Sequence, residues 1–160
     1  MIASYEAADR SEVLKSPYEY AMAQGHKHLP EMLTQCELQN APAFLPIVGD
    51  FYSGMLVTVP LHLSQLSGRH TVSSLRELLK AHYAGSHMVK VMDEEPAALY
   101  AGALSGRDDM ELYVTGNDER VLLCSLFDNL GKGASGAAIE CFNLMCGVSE
   151  STGLAVGTQE

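Results

Sequence analysis

Met110-Glu111-Leu112-Tyr113-Val114-Thr115-Gly116-Asn117-Asp118-Glu119-Arg120-Val121-Leu122-Leu123-Cys124-Ser125-Leu126-Phe127 decides the fold. Two strand-like runs, Met110 to Thr115 and Val121 to Phe127, flank Gly116-Asn117-Asp118, whose residues favour the backbone of a tight hairpin turn. A hairpin makes neighbouring strands antiparallel. Upstream, Met55, Val57, Val59, Leu61 and Leu63 alternate with period two and share one face of a further strand. Pro60 cannot donate a ladder hydrogen bond, so that strand is expected at an edge or at a bulge.

Around this nucleus the periodicity changes. From Thr71, residues Val72, Leu75, Leu78, Leu79 and Tyr83 recur at helical spacing, with Ser74 and Glu77 as a capping-box pair and an end near Gly85. Short strands are expected at Tyr18 to Met22, Phe44 to Val48 and Met88 to Met92. A helix is expected to start at Leu29-Pro30-Glu31, and another to run from Lys132 to Met145, small-faced (Ala134, Ala137, Ala138) and stopped by Gly147. Five or six strands with three helices indicate an α+β fold, a sheet covered on one face.

The chain has 160 residues, 47% of them apolar and 19% charged, enough for about one domain with a real core. Its net charge of −10, with the basic residues scattered singly, disfavours nucleic acid and anionic membranes as partners. Apolar runs are far shorter than the roughly twenty residues a bilayer requires. The acidic start lacks the features of a leader peptide, so a cytoplasmic protein is expected. Cys36, Cys124, Cys141 and Cys146 form no C-x-x-C pair, and reduced thiols are the expectation. Three of them lie in apolar runs where thiols are often buried, and Cys36 is expected to face the core of its helix.

Three segments could carry chemistry. In Gly25-His26-Lys27-His28-Leu29-Pro30-Glu31, a strand end would put both imidazoles on one side, with Glu31 on the next turn able to orient one. This suits a general acid/base, a metal site lacking its third ligand, or two satisfied surface histidines. Asp128 to Gly136 contains Gly131, Gly133 and Gly136 in the spacing of a dinucleotide turn, but only 24 residues follow, with no second strong strand. It is not a phosphate-binding P-loop either, because Leu126 stands where the first glycine belongs and Gly133 follows the lysine. An anion-binding helix start and simple close packing remain as alternatives. The loop from Phe44 to Met55 reads as a pocket wall or as an ordinary connection.

Together, Gly25 to Met32, Phe44 to Val59 and Asp128 to Gly147 resemble, in this order, the C-terminal half of N-acetyl-gamma-glutamyl-phosphate reductase, in the semialdehyde dehydrogenase group. The resemblance runs from about Ser16 onward. It implies the α+β fold of that group's C-terminal domains, a mixed or antiparallel sheet covered by helices. It also implies a catalytic and dimerisation domain over residues 16–127 after a lead-in at 1–15. Residues 128–160 would pack on a nucleotide-binding half.

The implied chemistry is NADPH-dependent reduction of an acyl phosphate to an aldehyde through a cysteine thioester, in arginine biosynthesis. His26 would be the acid/base, with His28 and Glu31 as substrate-binding or orienting neighbours. Asn129, Lys132 and Gly133 would lie on the cofactor side, and no metal is implied. NADP would be bound mainly by the other half, which also supplies the nucleophile, so this chain alone is expected to be inactive. The expected partners are a second copy, that half if separately encoded, and a small acyl phosphate. Ser53 stands where many members carry arginine, Glu140 replaces a common glutamine, and Phe142 alters the same helix. The rival reading is a non-catalytic homodimerising module; a zinc hydrolase at His26 and His28 is a third.

Overall fold

The computed structural model describes residues 2–157; the outermost positions of the expected lead-in and tail, 1 and 158–160, lie outside the described residues. The chain divides into two compact units, Met1–Phe51 and Tyr52–Glu160.

The second unit is built on a four-stranded sheet of order β3-β6-β5-β4, formed by β3 (Met55–His62), β4 (Val89–Val91), β5 (Met110–Gly116) and β6 (Arg120–Phe127). The hairpin pairs Tyr113 with Cys124 and Val114 with Leu123, antiparallel as expected. β3 runs antiparallel to β6 with unbroken register from Met55 opposite Phe127 to His62 opposite Arg120. It is an edge strand, the position its proline requires, without a bulge. β4 joins β5 in parallel, so the sheet is mixed. Asn117 closes the hairpin, its side-chain oxygen accepting the Glu119 and Arg120 N–H groups at 3.0 and 2.9 Å.

Helix α3 (Val72–His82) starts one turn earlier than a Ser74 cap would place it. Thr71 and Ser74 form the capping box, each side chain bonded to the other's backbone N–H. Its Val72, Leu75 and Leu79 cover Leu63, Val114 and Val121 on one sheet face. The opposite face packs Tyr113, Cys124 and Leu126 against Leu99 and Leu104 of the β4–β5 connection, so both faces are covered rather than one. Each fully buried aliphatic side chain in these clusters contributes roughly 1.5–3 kcal/mol. The alternating row that begins on β3, with Leu63 just past the strand's end, divides accordingly. Leu61 and Leu63 lie in the core beneath α3, whereas Met55, Val57 and Val59 are 40–47% exposed. After β6 the chain makes a wide turn, Gly131–Ser135, and enters α4 (Gly136–Met145).

The first unit holds α1 (Ile2–Glu6), α2 (His28–Gln35) and a small antiparallel pair, β1 (Tyr18–Glu19) with β2 (Ile47–Val48). Both strands are shorter than their apolar runs suggest. Left-handed backbone at Ala21 turns the first out of the ladder, and Pro46, which has no N–H, precedes the second. The lead-in is tied down by Arg10, whose guanidinium grips Asp50 through two nitrogens at 3.1 and 2.5 Å. Among the described residues no helix is long and apolar enough to cross a membrane.

Gly116 ends β5 at φ +132°, where an added Cβ would collide with the Arg120 carbonyl. Gly116→Ala is therefore expected to cost about 2 kcal/mol of stability, measured by urea unfolding; an unchanged midpoint would show that the hairpin is not held by this turn.

Candidate active-site elements

In the first unit, His26 and His28 face each other with ring centroids 4.6 Å apart in an edge-to-face arrangement. They stand at the N-terminus of α2, not on a strand end. His28 opens the helix, and its backbone N–H donates to His26 Nδ1 at 3.2 Å, so an imidazole supplies the cap that Lys27 does not. A neutral His26 ring accepting at Nδ1 carries its proton on Nε2. Tyr20 and Phe44 pack on the same ring at 5.6 and 5.0 Å. Glu31 sits exposed in the first helical turn, where a negative charge is favourable. It makes no hydrogen bond or ion pair to either imidazole among the described residues. Cys36 caps the C-terminal end of α2 and is exposed rather than core-facing, because the helix ends one residue before it. Cys124 is buried, while Cys141 and Cys146, expected inside, are exposed on and just after α4; all four thiols are free.

In the second unit the decisive group is Asp128, 2% exposed at the end of β6. Its Oδ2 accepts the Ser53 hydroxyl at 3.0 Å and the Gly106 N–H at 2.5 Å. Its Oδ1 accepts the Leu130 and Gly131 N–H groups at 2.8 and 3.4 Å. Ser53 spends its hydroxyl proton on Asp128, so Ser105, 2.5 Å away, donates in turn to Ser53. Burial pushes the Asp128 carboxyl up, but these donors outweigh it and hold it below the ordinary aspartate value. Asn129 next to it accepts the Gly54 N–H through Oδ1 at 2.7 Å.

This network decides what the glycine run does. The N–H groups that would cradle a phosphate are taken, those of Leu130 and Gly131 by Asp128's carboxylate and that of Gly133 by the Asp128 carbonyl at 2.9 Å. A Cβ at Gly131 would strike the Arg107 carbonyl, and one at Gly136 the Asp108 carboxylate. Close packing explains these glycines, and the residues present do not fit a dinucleotide pyrophosphate. Lys132 is mostly buried in an ion pair with Glu140. An open cleft of about 340 Å³ is lined by Tyr52, Ser53, Ser105, Asp108, Asp128 and Leu130, two carboxylates and no cation. Among the described residues no group of three or more His, Cys, Asp or Glu side chains is placed to hold a metal ion.

Sequence reasoning did not single out Asp128 or Ser105. The available signal was an aspartate between an apolar strand and a glycine-rich turn, a position that favours side-chain capping of free N–H groups.

Because the folded Asp128 carboxyl titrates below its unfolded value, its stabilisation is complete above about pH 4 and drains away as the pH falls through the lowered folded value. Asp128→Asn should cost on the order of 3 kcal/mol near neutrality, a deficit that shrinks in acid. Chemical denaturation at pH 7 and pH 3 checks this; a deficit independent of pH would contradict a charged Asp128.

Comparison with known proteins agrees with this architecture. The family described as semialdehyde dehydrogenase, dimerisation domain, matches residues 3–129. The N-acetyl-gamma-glutamyl-phosphate reductase of Rhizobium rhizogenes (strain K84) is 44% identical over 152 residues, 91% of this chain and 49% of the relative. The same enzyme of Rhizobium etli (strain CIAT 652) is 43% identical over 152 residues, with the same shares of each chain. That of Brucella ovis is 43% identical over 134 residues, 80% of this chain and 43% of the relative. The chain thus spans about half the length of the curated relatives it matches. A mixed sheet with α3 on one face, together with the match over residues 3–129, establishes that the chain belongs to the semialdehyde dehydrogenase dimerisation-domain family.

Proposed function

We propose that this chain is the dimerisation half of an NADPH-dependent, cytoplasmic reductase that converts N-acetyl-glutamyl phosphate to N-acetyl-glutamate semialdehyde in arginine biosynthesis. Its relatives carry the name of that reductase at 41–44% identity. The observation that carries the reading is the imidazole pair at the start of α2. The His28 N–H holds the neutral His26 ring as its Nε2–H tautomer, a hydrogen-bond donor for the substrate, and the ring takes up a proton at Nδ1 when that nitrogen leaves its bond to His28. His28, edge-on to the same ring, and Glu31, in the first turn of the same helix, are the neighbouring groups for the substrate.

NADP and the nucleophilic cysteine belong, in this reading, to the half of the relatives that the chain does not span, and the chain is inactive without it. That division is consistent with the glycine run having no free cradle and with the cleft beside Asp128 holding no cation for a phosphate. Residues 128–160 are proposed to pack on that half. Asn129, Lys132 and Gly133 stand at the entrance to α4, whose Phe142 and Met145 are 63% and 86% exposed. The small polar substrate is bound between the halves.

Self-association is assigned to the uncovered part of the β3 face, where Met55, Val57 and Val59 leave an apolar strip beside Phe127. The same strip favours a second reading, a homodimerising module without catalysis, which complementation separates from the first.

Mixing the chain with the uncovered N-terminal portion of the Rhizobium rhizogenes relative should produce NADPH-dependent reduction absent from either alone. His26→Asn should lower that activity at least about 100-fold while association of the halves persists. Activity that survives His26→Asn would overturn the proton-transfer role, and a mixture that neither associates nor turns over would favour the module. Val59→Lys should convert a dimer to a monomer by light scattering; an unaltered dimer would dismiss the β3 strip as the interface.

A further inference from the structure

We propose that Gln24 is a positioning residue for the His26 imidazole, acting through Phe44; this rests on the reading of His26 as the proton-handling group. The ladder between β1 and β2 ends with the Tyr20 N–H donating to the Pro46 carbonyl at 3.1 Å. Beyond it the chain turns away, with Ala21 and Gln24 in the left-handed region at φ 54° and 55°. The turn returns the Gln24 side chain to the opposite segment. There its Oε1 accepts the Phe44 N–H at 2.9 Å and its Nε2 donates to the Phe44 carbonyl at 2.8 Å. A primary amide presents the same donor and acceptor as a peptide group. Gln24 therefore adds one more rung to the ladder after the backbone has left it.

The choice of residue is informative. A left-handed position ordinarily carries glycine or asparagine, because other L-residues are strained there. Gly25 stands next door, yet it does not use the left-handed region and its missing Cβ faces open space. Asparagine would tolerate the backbone and offer the same amide, but is one methylene shorter. The strained position thus holds the longer of the two amide side chains, and the length serves the reach to Phe44.

What Phe44 does with that anchorage links the device to the site. Its ring lies 5.0 Å from that of His26 and 6.3 Å from that of His28, with Tyr20 also 5.6 Å from His26. The His26 ring is confined by three aromatic neighbours, counting His28, and by the hydrogen bond at Nδ1. A Phe44 released from Gln24 leaves that ring free to rotate and to exchange tautomers.

The test is nitrogen-15 and NOE spectroscopy on the isotopically labelled full chain. Wild type should show His26 as a single Nε2-protonated tautomer, with NOEs between its ring and that of Phe44. Gln24→Asn should mix the tautomers and abolish those NOEs, while Gln35→Asn, the same change at the end of α2, should alter neither. A Gln24→Asn spectrum with tautomer and NOEs intact would overturn the proposal. Should Gln24→Asn not fold, Phe44→Leu keeps both backbone hydrogen bonds and removes only the ring. Mixed His26 tautomers there support the proposal, and a single tautomer overturns it. In the complemented enzyme, Gln24→Asn should lower kcat about tenfold with KM unchanged. If Gln24→Asn shifts the His26 signature while His26→Asn retains activity, the positioning role stands and the catalytic reading of His26 falls.

Discussion

The second unit depends on one buried carboxylate. Asp128 gathers the end of β6, the loop before β3, the turn at Gly106 and the start of the Gly131–Ser135 turn onto two oxygen atoms. An aspartate at 2% exposure is tolerable because its oxygens meet four donors; with fewer, burial would force it neutral. The arrangement also explains why an anion site is missing where the glycines suggest one. The positive end of the turn is already neutralised from within the chain, and Lys132 is committed to Glu140.

A second polar assembly begins at Arg107, the residue after Gly106. Arg107 forks onto Asp109 at 2.8 and 2.5 Å and reaches Glu111 at 3.0 Å, and Glu111 in turn accepts the Tyr113 hydroxyl at 2.7 Å. Burial and the adjacent Glu111 carboxylate push the Tyr113 phenol well above its ordinary value, so it stays a donor. Asn143 of α4 donates to the Glu150 and Thr152 carbonyls at 3.0 and 2.9 Å, fastening the tail to the inner face of the helix. The outer face, with Phe142 and Met145, is left uncovered.

The β3–β6 core was legible because its signals are periodic and local. Alternation marked Met55 to Leu61, Gly116-Asn117-Asp118 marked the hairpin, Pro60 marked the edge, and 3.6-residue spacing marked α3. What stayed hidden depends on partners distant in sequence. The parallel pairing of β4 with β5 has no local signature, and the burial of Asp128 is set by Ser53, 75 residues away. The strand at Tyr18 is shorter than its apolar run suggests because a left-handed turn at a non-glycine residue, Ala21, carries no compositional mark. The glycine run left two readings open that only the neighbouring Arg107 and Asp108 separate. The histidine pair was legible as a cluster, but its place at a helix start, and with it the tautomer of His26, came from the fold.

Amide hydrogen exchange read residue by residue shows whether Asp128 acts as a single charged hub. The Gly106 and Leu130 N–H groups lie in irregular backbone and have no ladder or helix to protect them. With a charged hub, both are protected comparably to β6 amides at neutral pH and lose protection together as acid neutralises Asp128. Rapid exchange of Gly106 at neutral pH, or protection at the two sites that responds to acid independently, would contradict it.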